Sequence, residues 1–229
     1  MNGFYGECLR LEIFGQSHAE SVGMTLEGVP AGTCVDFDTL MRFMQRRAPG
    51  RGEYATARRE ADVPEFTSGL RNGVTDGAPI TAVIRNTDVR PHDYDALRTV
   101  PRPGHADYSA WLRYGSIPTG GGEFSGRMTA PLCVAGGILC LQLLGSEGVS
   151  IRARIVEIGG VRNEAAMHDK IMQAKAEEDS VGGVIECIAE GVPAGLGGAL
   201  FGGMESRISA AVFGIPAVKG IEFGAGFAS

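Results

Sequence analysis

Arg102-Pro103-Gly104-His105-Ala106-Asp107-Tyr108, then Gly120-Gly121-Gly122 and Glu123-Phe124-Ser125-Gly126-Arg127-Met128-Thr129, lead into an apolar run from Ala130 to Leu144. That run holds Pro131, Leu132, Cys133, Val134, Ala135, Ile138, Leu139, Cys140, Leu141, Leu143 and Leu144. Its length and composition predict one helix buried all round. Pro131 falls in the first turn, where a missing N–H costs nothing. Thr129 or Ser125 can cap it. A helix of this kind must lie at the centre of the fold, covered on its sides by other elements.

The three glycines before it bear on function. Without Cβ atoms they let backbone N–H groups turn toward one point. A glycine-rich loop feeding a helix N-terminus is suited to anions, since free N–H groups and the helix dipole add there. Arg127 offers a two-pronged charge partner. His105, on a turn bounded by Pro103 and Gly104, offers a proton that titrates near neutral pH. The plain alternative is a flexible connector, because the spacing matches neither a P-loop nor a dinucleotide fingerprint.

Outward from this stretch the pattern is mixed. Cys8 to Phe14 alternates as a strand, and Met24 to Val29 is a second, with His18 near the tip of the loop between them. Asp36 and Asp38 open a helix to about Arg47. Strands are expected around 61–70 and 79–85, and Asn86 to Arg102 reads as a long polar loop. Beyond the apolar run, Ile151–Ile158 and Gly183–Ala189 read as strands. Asn163 caps a helix from Glu164 to about Glu178, with His168 on its polar side. Phe201–Phe213 reads as helix and Val218–Phe223 as strand. Alternating strands around one apolar helix make an α+β pattern.

The chain has 229 residues and a formal net charge of −6, which gives no support to nucleic-acid or anionic-membrane binding. Of its 21 basic residues three are lysines (Lys170, Lys175, Lys219), leaving 18 arginines. Arg42, Arg46, Arg47, Arg51, Arg58 and Arg59 lie close together in sequence. Arginine suits planar recognition of carboxylate or phosphate, so this cluster points to a small anionic ligand; a solvated basic face is the alternative. Five cysteines without a C-x-x-C pair argue against a disulfide framework or a zinc site. No signal peptide is seen, and no apolar run reaches the roughly 18 residues of a membrane span, so a cytoplasmic location without membrane partners is expected.

The motifs together resemble one family, chorismate synthase. The resemblance rests on Gly15-Gln16-Ser17-His18, Arg46-Arg47-Ala48-Pro49-Gly50, Arg58-Arg59-Glu60-Ala61-Asp62, Ser68-Gly69, Asn86-Thr87-Asp88, Arg102 to Tyr108 and Tyr114-Gly115. It continues through the triple glycine with Ser125-Gly126-Arg127, Gly191 to Gly197, and Val218-Lys219-Gly220-Ile221-Glu222. Where the family reads Gly-Gly-Gly-Arg-Ser-Ser-Ala-Arg-Glu-Thr, this chain reads Gly-Gly-Gly-Glu-Phe-Ser-Gly-Arg-Met-Thr.

The resemblance implies a β-α-β sandwich: a helical core flanked by two antiparallel sheets, in a single domain over 1–229 that lacks the family's C-terminal portion. It implies a lyase of the shikimate pathway, serving aromatic amino-acid biosynthesis. The reaction is the anti 1,4-elimination of phosphate from 5-enolpyruvylshikimate 3-phosphate, giving chorismate. The cofactor is reduced FMN, with NADPH as a source of reductant, and the assembly is a homotetramer. By position His18 protonates the leaving phosphate and His105 sets the protonation of the flavin. Arg47, Arg127 and Ser17 hold anionic groups, and Glu123, Phe124 and Ser125 line the FMN, with no metal. The alternatives are a non-catalytic relative that keeps flavin or anion binding, an inactive fragment, and a flavin reductase, for which no nucleotide fingerprint is visible.

Overall fold

The first sheet grows from short runs of alternating polarity. In the computed structural model, which describes residues 3–48, 60–87 and 100–228, β1 (Phe4–Tyr5), β2 (Arg10–Gly15) and β3 (Ser21–Glu27) form an antiparallel meander. Alternate side chains of a strand share one face, and β3 buries Val22, Met24 and Leu26 in this way. Helix α1 (Phe37–Arg47) follows, capped by Asp36, whose carboxylate accepts from the Thr39 amide at 3.0 Å and from its hydroxyl. Those Thr39 bonds hold the Asp36 carboxyl below the usual carboxylate range.

Next come β4 (Pro64–Ser68), a small hairpin of β5 (Leu70–Arg71) and β6 (Val74–Thr75), and β7 (Ile80–Arg85). β7 enters between β3 and β4, so the sheet runs β1-β2-β3-β7-β4 with every pairing antiparallel. The strand expected over 61–70 is shorter: β4 starts at Pro64 and stops at Ser68, and Gly69, with φ of +78°, separates it from β5.

Helix α2 (Asp107–Tyr114) ends on Gly115 in the left-handed region. Tight turns at Thr119–Phe124 and Gly126–Met128 lead into α3 (Thr129–Ile138), a wider π turn at Leu139–Leu143, and α4 (Leu144–Ser146). The helical segment is therefore continuous over Gly126–Ser146, 21 residues in which a window of 18 reaches a mean hydropathy of 1.7. That corrects the expectation that no apolar run reaches the length of a membrane span. Its residues Ala130, Val134, Ala135 and Ile138 pack with β3, β7 and α1 in one core, which is the behaviour of a central core helix. The expected burial all round does not hold: in α3 Leu132 and Cys133 are half-buried, and beyond it Leu141 is exposed and Leu143 and Leu144 are half-buried. The first sheet and α1 cover α3, while the second sheet meets the π turn through β8, the strand Ser150–Ile158.

That second sheet is the pair β8 (Ser150–Ile158) and β9 (Gly183–Glu190), joined through α5 (Glu164–Ala176). Asn163 caps α5 as expected, accepting from the Ala166 amide at 3.2 Å. Helix α6 (Met204–Val212) follows. Val218–Phe223, expected as a strand, is not one: it joins no ladder among the described residues. Alternating polarity makes a strand only when a neighbouring edge supplies the hydrogen bonds. The α+β architecture, with a helical centre and antiparallel sheets, is the one expected.

Candidate functional site

The triple glycine fixes the geometry. Gly120, Gly121 and Gly122 have φ of +61°, +84° and +52°, a run of left-handed residues that glycine alone takes without strain. A Cβ at Gly120 would collide with the imidazole of His18, so the ring lies directly on this backbone. A Cβ at Gly122 would stand 2.5 Å from Pro118 and 3.8 Å from the Gln16 side chain. The loop between β2 and β3 thus meets the glycine loop, bringing together two motifs about a hundred residues apart.

Asn86, just past β7, pins that loop. Its side-chain amide donates to the carbonyls of Gln16 (3.0 Å) and Ala19 (2.8 Å), on either side of Ser17 and His18. Its backbone N–H donates to Glu20 at 2.9 Å. Ser17 is buried.

A buried charge cluster lies beneath. Arg127 donates from Nε to Asn86 Oδ1 (2.9 Å) and from Nη1 to Asp62 Oδ1, and pairs with Glu60 Oε2 at 2.9 Å. Arg47 donates to the other Asp62 oxygen at 2.7 Å, to Thr129 Oγ1 at 3.2 Å and to the Gly126 carbonyl at 3.2 Å. Two arginines thus face two carboxylates, the balance that buried charge requires. Both expected anion ligands, Arg47 and Arg127, are brought to the site, but Arg127 is only 4% exposed and turned to carboxylates. Arg42 and Arg46 do not join them: Arg42 donates to the Thr39 hydroxyl and Arg46 lies over the Phe43 ring. Arg51, Arg58 and Arg59, and the loop at 88–99, fall outside the described residues.

His105 is exposed on the turn before α2. Arg102 and Asp107 close that turn with a two-pronged pair at 2.7 and 2.9 Å. The Arg102 hydrogen bond holds the Asp107 carboxyl below its usual range. Arg102 Nη2 in turn stands 3.9 Å from where a Gly121 Cβ would be. His18 therefore lies against Gly120, and the turn carrying His105 reaches Gly121 through Arg102.

The remaining residues have local partners. The Tyr114 hydroxyl donates to Glu123 Oε1, and this bond raises the Tyr114 pKa above its usual value. Ser125 Oγ accepts from the Arg127 amide at 3.1 Å, capping the turn into the core helix. Phe124 is 40% exposed beside them. Asp62, Glu60, Asn86, Arg102 and Tyr114 were not picked out by sequence reasoning as site residues. The Glu60-Ala61-Asp62 spacing, two carboxylates separated by one small residue, was the available signal. A cleft of about 620 Å³ between α5 and the β8–β9 hairpin lies elsewhere, lined largely by apolar residues such as Ile155, Ile171 and Val181.

An imidazole on a bare glycine backbone, with arginines at hand, is suited to protonating an anionic leaving group whose charge is held in place. Comparisons with known proteins agree on one family. The family model described as chorismate synthase matches residues 9–229. A chorismate synthase from Lancefieldella parvula is 43% identical, the match covering 99% of this chain and 70% of that one. One from Chitinophaga pinensis is 45% identical over all of this chain and 68% of its own. A chorismate synthase crystal structure superposes with a TM-score of 0.73 at 25% identity, covering 97% of this chain and 71% of that one. With the family matched from Leu9 to the last residue and the fold shared, the chain belongs to the chorismate synthase family.

Proposed function

We propose that this protein converts 5-enolpyruvylshikimate 3-phosphate into chorismate and phosphate. The observation that carries the reading is the His18 ring seated on Gly120, within a chain of this family. In the elimination the allylic C–O bond to phosphate breaks and a ring C–H bond yields a proton on the opposite face. The electron pair forms the new double bond, with no net redox change. Phosphate leaves readily only when its charge is neutralised, so His18 delivers a proton to it. Arg47, half-buried at the mouth of the charge cluster, holds a substrate anion, and Ser17 supports the same loop. Arg127 contributes from beneath, through its hold on Asp62 and Asn86.

The residues present fit reduced FMN on two observations. The glycine run leaves room at Gly121, where a Cβ would meet nothing closer than 3.9 Å, and the Phe124 ring stays exposed nearby. Glu123, an anion in a place meant for a phosphate-bearing cofactor, is drawn toward Tyr114. When bound, the reduced flavin supplies electron density that promotes C–O cleavage. Glu123, Phe124 and Ser125 line its place, and His105 is the titratable group on that side. NADPH as the source of reductant, a homotetramer and a cytoplasmic location complete the proposal.

The test is anaerobic incubation with the substrate and chemically reduced FMN. Chorismate and phosphate are expected in equal amounts, with His18→Ala lowering turnover by about 10²–10⁴-fold. The position of Glu123 favours a second reading, a relative that binds without turnover. Calorimetric titration separates the two, since tight substrate binding with no chorismate from folded protein supports the second.

A further inference from the structure

Asn86 sits at the junction of three parts of the site and uses both ends of its side chain. The Nδ2 group donates to the carbonyls of Gln16 and Ala19, and Oδ1 accepts from Arg127 Nε. Arg127 has donors only, so the oxygen of the amide must face it, and the NH2 must face the loop. The two carbonyls bracket Ser17 and His18 like the ends of a staple. No other side chain of this length offers two donors on one arm and an acceptor on the other. Aspartate would set negative charge against two carbonyl oxygens; alanine would leave both carbonyls and the Arg127 Nε–H without this partner. Arg127 is itself gripped by Glu60 and by Asp62, and Asp62 also holds Arg47. A continuous chain of polar contacts therefore runs from Arg47 through Asp62, Arg127 and Asn86 to the loop that presents His18 to Gly120.

We infer that Asn86 is a positioning residue: it holds the 16–19 loop so that the His18 ring stays on Gly120, and it couples that ring to the arginine that binds substrate. The inference rests on the proposed role of His18 for its effect on turnover, but not for its effect on the ring. A displacement of about 1 Å at a catalytic group can cost about 100-fold in rate.

The experiment uses the full chain and two variants, Asn86→Asp and Asn86→Ala. The protein has four histidines, so the His18 ring resonances can be assigned by loss in His18→Gln. In Asn86→Asp the His18 resonances and their titration midpoint are expected to move, while those of His168 on α5 stay in place. Turnover falls about 100-fold, with KM for the substrate changing by less than about threefold, the split expected when orientation rather than binding is lost. Folded variants with unchanged His18 resonances and wild-type turnover overturn the inference. If neither variant folds, the wild-type protein decides. Asn86 Nδ2 protons that exchange as slowly as core amides support the inference, and exchange at the rate of a free amide overturns it. Failure of the wild-type protein to make chorismate would strike the proposed function alone, since the resonance and exchange measurements need no turnover.

Discussion

Asp62 occupies the left-handed region at φ +51° and is 2% exposed, a costly place for a residue with a Cβ. The strain is roughly 1–2 kcal/mol. Its two carboxylate oxygens divide between Arg47 and Arg127, which offsets that strain and, together with Glu60, balances the charge of the two guanidinium groups. Removing one partner of a buried pair leaves the other charge uncompensated. Asp62→Ala is therefore expected to cost about 3–5 kcal/mol in chemical denaturation. Asp62→Asn should cost less, since asparagine tolerates the left-handed backbone and keeps one acceptor. Equal losses in the two variants would mean that the lost charge alone sets the cost, with backbone tolerance and the remaining acceptor adding nothing. The sequence made His18 and the triple glycine legible as separate candidates, because each is a short local motif. Asp62 and Asn86 were not legible as site residues, because their partners lie 15 to 70 positions away and only folding brings them together.

The core helix shows how neighbouring residues of one element can respond in opposite ways. Gly136 and Gly137 both lie in α3, where glycine costs about 0.5–1 kcal/mol relative to alanine. A Cβ at Gly136 would meet only Phe43 Cε1 at 3.7 Å, an ordinary contact. At Gly137 it would stand 2.5 Å from Leu40 Cδ1 and 3.3 Å from Phe43 Cδ1, where α1 crosses closest. Leu40 is fully buried and has little room to withdraw. Gly136→Ala should stabilise by roughly 0.5–1 kcal/mol, while Gly137→Ala should destabilise, since overpacking costs typically about 1–3 kcal/mol. Thermal melts of the two variants check the signs; a gain in both would mean α1 and α3 can move apart freely. Elements set by local chemistry were readable in the same way: the Asn163 cap of α5 and the Asp36 cap of α1 are where the sequence puts them. The Val218–Phe223 strand and the outer burial of Leu141 were misread because each depends on a neighbour that sequence periodicity does not reveal.

Across the whole molecule the burial is uneven, and this decides where the stability resides. The core joins Val22, Met24 and Leu26 to Ile84 and Ile138, and among the described residues no buried position lies beyond Val149. The hairpin of β8 and β9 leaves Ile155 57% and Ile185 68% exposed, and Phe201 is 92% exposed. Exposed apolar surface such as the paired Ile155 and Ile185 recruits partners or promotes association. Stability should follow the core and solubility the hairpin, and paired substitutions separate them. Ile84→Ala, at a fully buried position, is expected to cost about 2–5 kcal/mol. Ile185→Lys should alter unfolding by no more than about 0.5 kcal/mol, as for an open surface, while reducing fluorescence of a hydrophobic dye and light scattering. Amide exchange in 150–228 should be faster than in β3 and β7, since low burial favours local opening. An Ile185→Lys variant as unstable as Ile84→Ala would mean that the hairpin face is covered in the folded protein, and that a second, hidden core lies against it.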